Sequence, residues 1–398
     1  MKLRFSPETE AIRAEFGAWL DANVPAEEVA DAERATCTTD TPQWAREFQC
    51  KMFEAGWLLP GQPPQYGGRG LSLVEQFVIY EELMRRRIYA SFNPQGLNII
   101  APSILMFGTP EQIAEYGVPV LRGEKTAALG MSEPGAGSDL AGLRTRAVLD
   151  GDEFVVNGQK VWTSGAHFAD FILAFVRTDP DVPKHKGISC LIIPTDTPGV
   201  TRRPFGSICD PADIDFNEVF FDDARVPAAN LVGGLNNGWK VATGTLGEER
   251  AMLWLSMYER LDDLIRDFSA CAVGTPLADD PITQDWFGKA LIDATALRLL
   301  GYRTVAKMAH GKDPAEQSIL KLMGSEAGQT AYNLVLETLE SAAIDRTTTT
   351  GPHNPLNAEV FTASWFERYC RSFAGTIAGG TSEIQRNIVA ERVLGLPK

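Results

Sequence analysis

The period of the hydrophobic pattern changes twice along the chain, and this constrains the fold more than any other feature. Near the N-terminus, apolar residues recur at helical spacing at Ile12, Phe16, Trp19 and Leu20. After about residue 124 the pattern changes to short alternating segments, and from about residue 237 the helical period returns. The chain is therefore predicted to have an α+β fold, with an N-terminal helical domain (1–124), a middle β-barrel or β-sandwich domain (125–236) and a C-terminal four-helix bundle (237–398).

Tight-turn dipeptides divide the middle segment into short strands. Asp150-Gly151 and Asn157-Gly158 are dipeptides that reach positive φ in two-residue hairpins. They predict three consecutive strands, over Arg146–Leu149, Glu153–Val156 and Lys160–Trp162. Further strands are predicted at Phe171–Val176, Ile188–Ile193 and Glu218–Phe221. In the C-terminal third, the helical period predicts long helices at Leu246–Phe268, Trp286–Met308, Ser318–Ser341 and Ala363–Gly375.

The charge balance excludes several classes of partner. The 398 residues include 37 Lys and Arg against 52 Asp and Glu, a formal charge of −15, so neither nucleic acid nor an anionic membrane is an expected partner. Six cysteines and four histidines are scattered without metal-ligand spacing, and no metal site is predicted. The N-terminal residues lack the apolar core of a signal peptide, and no stretch approaches the ~18 apolar residues of a membrane span. A cytoplasmic location is therefore expected.

Two short segments have the composition of ligand-binding loops. Met131–Asp139 contains a proline, two glycines and two serines, so its N–H groups and hydroxyls can face a planar polar ligand or a phosphate. Val161–Ala166 follows a predicted strand with an indole and two hydroxyls. A surface turn would equally explain the first segment, and a core tryptophan the second. Neither segment by itself decides between these interpretations.

Together with two further motifs, these segments resemble the acyl-CoA dehydrogenase family of flavoproteins. One further motif is Arg225–Pro227 followed by Asn230–Gly233, where the β segment rejoins the helices. The other is Gly379–Asn387 followed by Ala390–Gly395, close to the C-terminus. The motifs occur in the family's order across most of the chain. The resemblance implies the same helical, β and helical domain order, and FAD as the cofactor.

The resemblance also assigns site residues by position. It places FAD against Leu129, Met131, Ser132, Ser138, Trp162, Thr163 and Ser164, and against Thr381 and Glu383. It places the acyl-CoA substrate against Ser138, Arg250, Gly379 and Gly380. Hydrogen-bond donors suit the flavin contacts, because a reduced flavin accumulates negative charge at N1 and the C2 carbonyl.

The family's reaction is α,β-desaturation of an acyl-CoA thioester. A carboxylate removes the α-proton, the β-hydrogen leaves as a hydride to flavin N5, and the electrons pass to an electron-transfer flavoprotein. The carboxylate must be desolvated so that its pKa rises. Many members carry this base just before the C-terminal Gly-Thr, where this chain has Gly379. A subset carries it in a Glu-Arg pair on the first helix after the β-domain.

That pair is matched by Glu249 and Arg250, so Glu249 is the predicted base in preference to Glu248. The alternative interpretation of Glu249 is a solvated acid at a helix start. Arg250 is expected either to orient neighbouring groups or to form a plain salt bridge.

The sequence departs from the family pattern where the adenine half of FAD is bound. In homo-oligomeric members, a neighbouring subunit supplies an Arg-Gln pair and a Gln-x-x-Gly-Gly-x-Gly turn. This chain has Pro281–Gln284 without an arginine and Glu337–Ala343 without a glycine pair. Two interpretations stay open: a paralogous subunit supplies these contacts in a hetero-oligomer, or other residues compensate in a homo-oligomer, either one a dimer or a tetramer.

The Gly-Gly ending also bears on the substrate. Subfamilies with this ending include members that act on CoA esters with bulky, ring-bearing side chains, so a branched or steroid-like acyl group is a plausible substrate. The alternative functions are a non-catalytic partner subunit of a heteromeric dehydrogenase, and a flavin monooxygenase or oxidase on the same fold.

Overall fold

The computed structural model describes residues 5–26, 29, 37, 39–88, 91–208, 214–312, 316–345 and 364–397. The chain divides into two compact units. The helical unit comprises residues 1–22, 71–89 and 250–398, and the sheet unit comprises residues 23–70 and 90–249.

One eight-stranded sheet forms the centre of the sheet unit. Its strands are β1 (Ala127–Gly130), β2 (Arg146–Asp150), β3 (Glu153–Lys160), β4 (Phe171–Arg177), β5 (Ile188–Pro194), β6 (Val200–Phe205), β7 (Phe216–Pro227) and β8 (Leu231–Val232). They lie in the order β6-β7-β3-β2-β4-β5-β8, and β1 pairs with β4. Both β1 and β2 run parallel to β4, while the other neighbours are antiparallel. Alternate residues, such as Phe154 and Val156, bury one face of the sheet in an apolar core.

The predicted hairpin at Asn157-Gly158 is wrong. β3 continues through both residues to Lys160, with a shift of register against β7 at this point. Gly158 has a φ of 144°, and an added Cβ would lie 2.7 Å from the Thr145 Cα. Glycine is therefore needed for a bulge with a close backbone approach rather than for a turn. Because β3 ends at Lys160, Trp162 follows the strand instead of ending it.

Eleven α-helices are described. They are α1 (Pro7–Asn23), α2 (Gln43–Glu54), α3 (Leu73–Arg85), α4 (Ala101–Phe107), α5 (Pro110–Gln112), α6 (Val118–Leu121), α7 (Gly238–Ala272), α8 (Pro281–Ala309), α9 (Glu316–Leu339), α10 (Trp365–Ile377) and α11 (Ser382–Ile388). In the helical unit, three aromatic rings pack within one apolar cluster: Phe268 meets Trp286 and Trp365 edge-on, at centroid distances of 4.7 and 6.0 Å. The four long helices predicted from the helical period are confirmed as α7 to α10.

The order of helices, sheet and helices confirms the predicted α+β fold. The domain boundaries near residues 124 and 236 stay predictions. No helix in the described part of the chain is long and apolar enough to cross a lipid bilayer. The described side chains also include no group of three or more His, Cys, Asp or Glu placed to hold a metal ion.

Candidate active site

Strand β1 leads directly into the predicted flavin loop. Gly130 lies so close to β4 that an added Cβ would stand 2.8 Å from a side chain of that strand. The loop then closes a tight turn, because Glu133 and Ala136 exchange backbone hydrogen bonds of 3.0 Å in both directions. Leu129 is half-buried on β1, and Ser138 is exposed beyond the turn. Met131 and Ser132 therefore occupy the short link between strand and turn.

The second predicted segment lies directly beside this link. The Val161 N–H donates to the Ser132 carbonyl at 3.0 Å, and the Lys160 ammonium donates to the Met131 carbonyl at 3.1 Å. The fold thus brings together the two segments that the resemblance assigns to the flavin.

Trp162 is held in an uncommon backbone conformation. Its φ is 60°, in the left-handed region that costs a residue with a Cβ about 1–2 kcal/mol. The indole is 58% exposed, with edge-on contacts to Phe205 and Phe216 at centroid distances of 5.2 and 5.4 Å. A strained residue that displays a large aromatic surface indicates a ligand-facing role.

Thr163 contributes a buried polar atom with no partner. Its side chain is 0% exposed, and its hydroxyl makes no hydrogen bond to any residue that the structure describes. Its backbone is fixed on both sides by Asn217 of β7: the Thr163 N–H donates to the Asn217 carbonyl at 3.2 Å, and the Asn217 Nδ2 donates to the Thr163 carbonyl at 3.1 Å. Ser164, the next residue, is also buried. Sequence reasoning missed Asn217, whose signal is an asparagine at an inward-facing position of an alternating strand.

The C-terminal motif lies in the helical unit. Gly379 and Gly380 both have positive φ, 65° and 92°, and the Lys321 ammonium donates to the Gly380 carbonyl at 2.6 Å. Thr381 caps α11, since its hydroxyl oxygen accepts the Ile384 N–H at 3.3 Å. The Thr381 hydroxyl in turn donates its hydrogen to the Glu383 carboxylate.

Two residues beside this cap complete the motif. Glu383 is exposed in the first turn of α11, where its own backbone N–H and the Thr381 hydroxyl lower the pKa of its carboxyl. The Ser382 hydroxyl is buried without a partner among the described residues. Lys321 and Ser382 were missed by sequence reasoning, because their roles follow from burial and from contacts distant in sequence.

Comparisons with known proteins identify the family of the chain. Family models for the acyl-CoA dehydrogenase N-terminal, middle and C-terminal domains match residues 6–124, 128–224 and 236–394. The acyl-CoA dehydrogenase IpdE1 of Mycobacterium tuberculosis is 34% identical over 393 residues, which cover 98% of each chain. This chain belongs to the acyl-CoA dehydrogenase family. It is accordingly an oxidoreductase that acts on the CH–CH bond of acyl-CoA thioesters, and the members of its family are flavoproteins.

Two solved structures are similar over the full length of this dehydrogenase. One is the Tcur3481-Tcur3483 steroid ACAD, with a TM-score of 0.82, 32% identity and 100% of both chains covered. The other is the ChsE4-ChsE5 complex from Mycobacterium tuberculosis, with a TM-score of 0.79, 33% identity and 100% of both chains covered.

The residue predicted to be the base of the dehydrogenase lies on α7. This helix runs unbroken over Gly238–Ala272 and contributes residues to both units. The side chains of Glu248, Glu249 and Arg250 lie outside the described residues. Their roles stay predictions.

The start of α8, where the family's Arg-Gln pair is expected, uses its polar groups internally. The Thr283 N–H and hydroxyl both donate to Asp280 Oδ2 at 2.8 Å, which caps the helix. Gln284 donates to the Ala278 carbonyl at 3.1 Å, and Ile282 is exposed. This stretch offers the pyrophosphate of FAD no cation of its own.

The residues around Trp162 fit the isoalloxazine half of FAD. The exposed indole offers an aromatic surface for a ring system. The Thr163 hydroxyl has no partner within the described chain, and the Ser132 N–H likewise has no acceptor among the described residues. Unpaired donors beside an aromatic surface are what a planar ring with carbonyl and nitrogen acceptors requires.

Replacement of Thr163 by valine tests this fit. Because the hydroxyl is buried without a partner, Thr163→Val should leave the free energy of unfolding of the flavin-free protein unchanged or raise it by about 1 kcal/mol. It should weaken FAD binding by about 10-fold, since a donor to the ring is lost. The measurements are denaturant unfolding of the flavin-free chain and titration with FAD, the latter together with the paralogous partner if one is needed.

A matched control is available at the residue that follows strand β5. The buried Thr195 hydroxyl donates to the Ala169 carbonyl at 2.6 Å, so Thr195→Val should lower the free energy of unfolding by about 1 kcal/mol and leave FAD binding intact. Equal destabilisation by both substitutions would mean that the Thr163 hydroxyl has a partner in the protein itself.

Gly379 occupies the position where many family members carry the base. An added Cβ there would have no atom within 4 Å, but the φ of 65° lies in the left-handed region. Gly379→Glu and Gly379→Ala should therefore cost the same, about 1–2 kcal/mol in free energy of unfolding. Denaturant unfolding of both variants checks this, and a much larger cost for Glu than for Ala would show that the position is crowded.

Proposed function

We propose that this chain is the catalytic subunit of an FAD-dependent acyl-CoA dehydrogenase whose substrate carries a bulky, ring-bearing acyl group. The observation that carries the proposal is the grouping of the exposed, strained Trp162 indole with the unpartnered Thr163 hydroxyl and Ser132 N–H. The full-length similarity to a steroid ACAD supports a steroid-like acyl group. Many family members carry an acidic side chain at the position of Gly379, and the glycine here leaves more room for a bulky acyl group.

Within this proposal, the sheet unit holds the ring of the cofactor. When bound, FAD supplies the two-electron oxidant for the β-hydrogen. The Thr163 hydroxyl and the Ser132 N–H would donate to the acceptor edge of the ring, where fixed donors stabilise added negative charge. Trp162 packs against the ring and excludes water. Leu129, Met131, Ser138 and Ser164 complete the contacts.

Glu249 is the proposed base that removes the α-proton of the thioester. Its position on α7 follows the Glu-Arg pattern, and Gly379 leaves the alternative position without a carboxylate. For this role the carboxylate must lose water when substrate binds, so that its pKa rises towards that of a useful base. We further propose that Arg250, Gly379 and Gly380 contact the acyl-CoA, and that Thr381 and Glu383 contact the nucleotide part of FAD.

We also propose that a second, paralogous chain completes the FAD site. The polar groups at the start of α8 serve their own helix, so the contacts to the adenine and pyrophosphate have to come from elsewhere. The ChsE4-ChsE5 structure is a complex of two differently named chains, which supports a hetero-oligomer. We propose an electron-transfer flavoprotein as the electron acceptor of this complex.

Anaerobic titration of the FAD-loaded protein with CoA esters, in complex with its paralogous partner if one is needed, tests the proposed activity. A steroid side-chain CoA ester should bleach the visible flavin absorbance at lower concentrations than straight-chain esters do, and the reduced flavin should persist in air until an electron-transfer flavoprotein is added. Failure of every ester to bleach the flavin would favour a non-catalytic subunit. Rapid reoxidation by air would favour an oxidase or monooxygenase.

A further inference from the structure

A fully buried lysine lies directly behind the loop assigned to the flavin. Lys160, the last residue of β3, is 0% exposed. Its ammonium lies 2.8 Å from the Glu133 Oε1 and 3.1 Å from the Met131 carbonyl oxygen. Burial of an ammonium is costly, and an apolar residue would often fill such a position with equal or greater stability. The charge therefore needs an explanation beyond packing.

Glu133 connects this lysine to the backbone of a neighbouring segment, at Arg144 and Thr145. Besides Lys160, its carboxylate accepts the Arg144 N–H at 2.6 Å and the Thr145 N–H at 2.9 Å. Although burial alone would raise the pKa of Glu133, the Lys160 ammonium and these donors hold it below its usual value. The carboxylate thus stays ionised, with three donors around it, and gives the lysine a fixed anchor.

The contacts of this lysine determine the direction of one peptide group. The Met131 carbonyl points to Lys160, and the following carbonyl, of Ser132, points to the Val161 N–H. The Met131–Ser132 peptide bond is trans, as are all those described, so the Ser132 N–H points opposite to the Met131 carbonyl and away from Lys160. This is the N–H group that has no acceptor within the described chain.

We propose that the buried Lys160–Glu133 ion pair is a positioning element of the flavin site, which holds the Met131–Ser132 peptide so that the Ser132 N–H faces the flavin. The inference rests on the proposed function, in which this loop binds FAD. Lys160 and Glu133 act through the peptide and do not touch the cofactor.

A pair of variants separates positioning from stability. Lys160→Met leaves Glu133 as a buried charge without its cation, and so should lower both the stability of the flavin-free protein and its affinity for FAD. In the double variant Lys160→Met with Glu133→Gln no buried charge is left unpaired, so most of the stability should return. The Met131 carbonyl still lacks its donor, and the FAD dissociation constant should stay about 10–100-fold above that of the wild type.

The control is an ion pair of the same sheet that is exposed. Arg225 lies 3.0 Å from Asp150, and both side chains are more than half exposed. Arg225→Met should change the FAD dissociation constant by less than about 3-fold. The measurements are thermal unfolding of the flavin-free protein and quenching of FAD fluorescence on binding to the full chain, together with its paralogous partner if one is needed.

The outcomes distinguish this inference from the proposed function. If the wild-type protein binds no FAD, either alone or together with its paralogous partner, the proposed function fails. If the wild type binds FAD and the double variant binds it equally well, the positioning role is refuted while the proposed function stands.

The pH dependence of FAD binding gives an independent check. Burial lowers the pKa of Lys160 to about 8, with Glu133 opposing this shift and Arg177 adding to it. If FAD binds best when the lysine is charged, wild-type affinity should fall as the pH rises from about 7 to about 9. The double variant, which lacks this group, should show no such fall. A parallel fall in both proteins would contradict the inference.

Discussion

Glu249→Gln should lower the rate of acyl-CoA desaturation by about 10³-fold while the protein still binds FAD and substrate. Glutamine has nearly the shape of glutamate but cannot accept the α-proton, so the chemical step should be lost and the binding kept. The measurement is the rate of flavin bleaching in anaerobic single turnovers, with FAD content and substrate affinity determined on the same samples.

The neighbouring acid is the matched control. Glu248 precedes Glu249 on α7, and Glu248→Gln should desaturate substrate at close to the wild-type rate. The opposite pattern, with loss in Glu248→Gln alone, would move the base by one residue. Wild-type rates in both variants would show that neither Glu248 nor Glu249 is the base.

The second large effect concerns the cofactor content. Expressed alone, the chain should purify with a flavin-to-chain ratio near zero, and co-expression with a paralogous chain should raise that ratio to about one flavin per catalytic subunit. The reason is that this chain lacks the expected contacts to the adenine and pyrophosphate of FAD. Thr283 and Gln284 form hydrogen bonds within the start of their own helix, and no arginine lies within Pro281–Gln284. Visible absorbance and protein concentration give the ratio.

Folding has to be checked in the same experiment, because an unfolded chain would also lack flavin. Cooperative thermal unfolding of the flavin-free protein would show that the chain folds without its cofactor. A ratio close to one for the chain alone would contradict the hetero-oligomer and support a homo-oligomer in which other residues compensate.

Much of the fold was predictable because period and turn chemistry are local properties. The helices α7 to α10 follow from their long apolar repeats, and the turn at Asp150-Gly151 separates β2 from β3 as predicted. The Asn157-Gly158 dipeptide carries the same local signal, but there the glycine serves a bulge against a neighbouring strand. Local sequence cannot distinguish a hairpin turn from a bulge, because the bulge depends on which strand of the sheet lies opposite.

The candidate site shows the same division. The resemblance to the family assigns Met131, Ser132, Trp162 and Thr163 to the flavin from the sequence alone, and the structure brings their two segments together, while their roles stay predictions. The buried residues that hold these segments in place, such as Lys160, could not be predicted from the sequence. Lys160 looks like an ordinary strand-end lysine in the sequence, and its importance appears only when the fold buries it against Glu133.

Trp162 and Thr163 have a consequence for attempts to engineer this protein. Trp162 has a backbone conformation that glycine or asparagine would adopt more easily, and Thr163 buries a hydroxyl without a hydrogen-bond partner in the described chain. A redesign that ranks substitutions by thermal stability would therefore select these two adjacent positions early. Such a procedure would produce a more stable protein with a damaged proposed flavin site, so both positions should be kept unchanged in any stabilised variant.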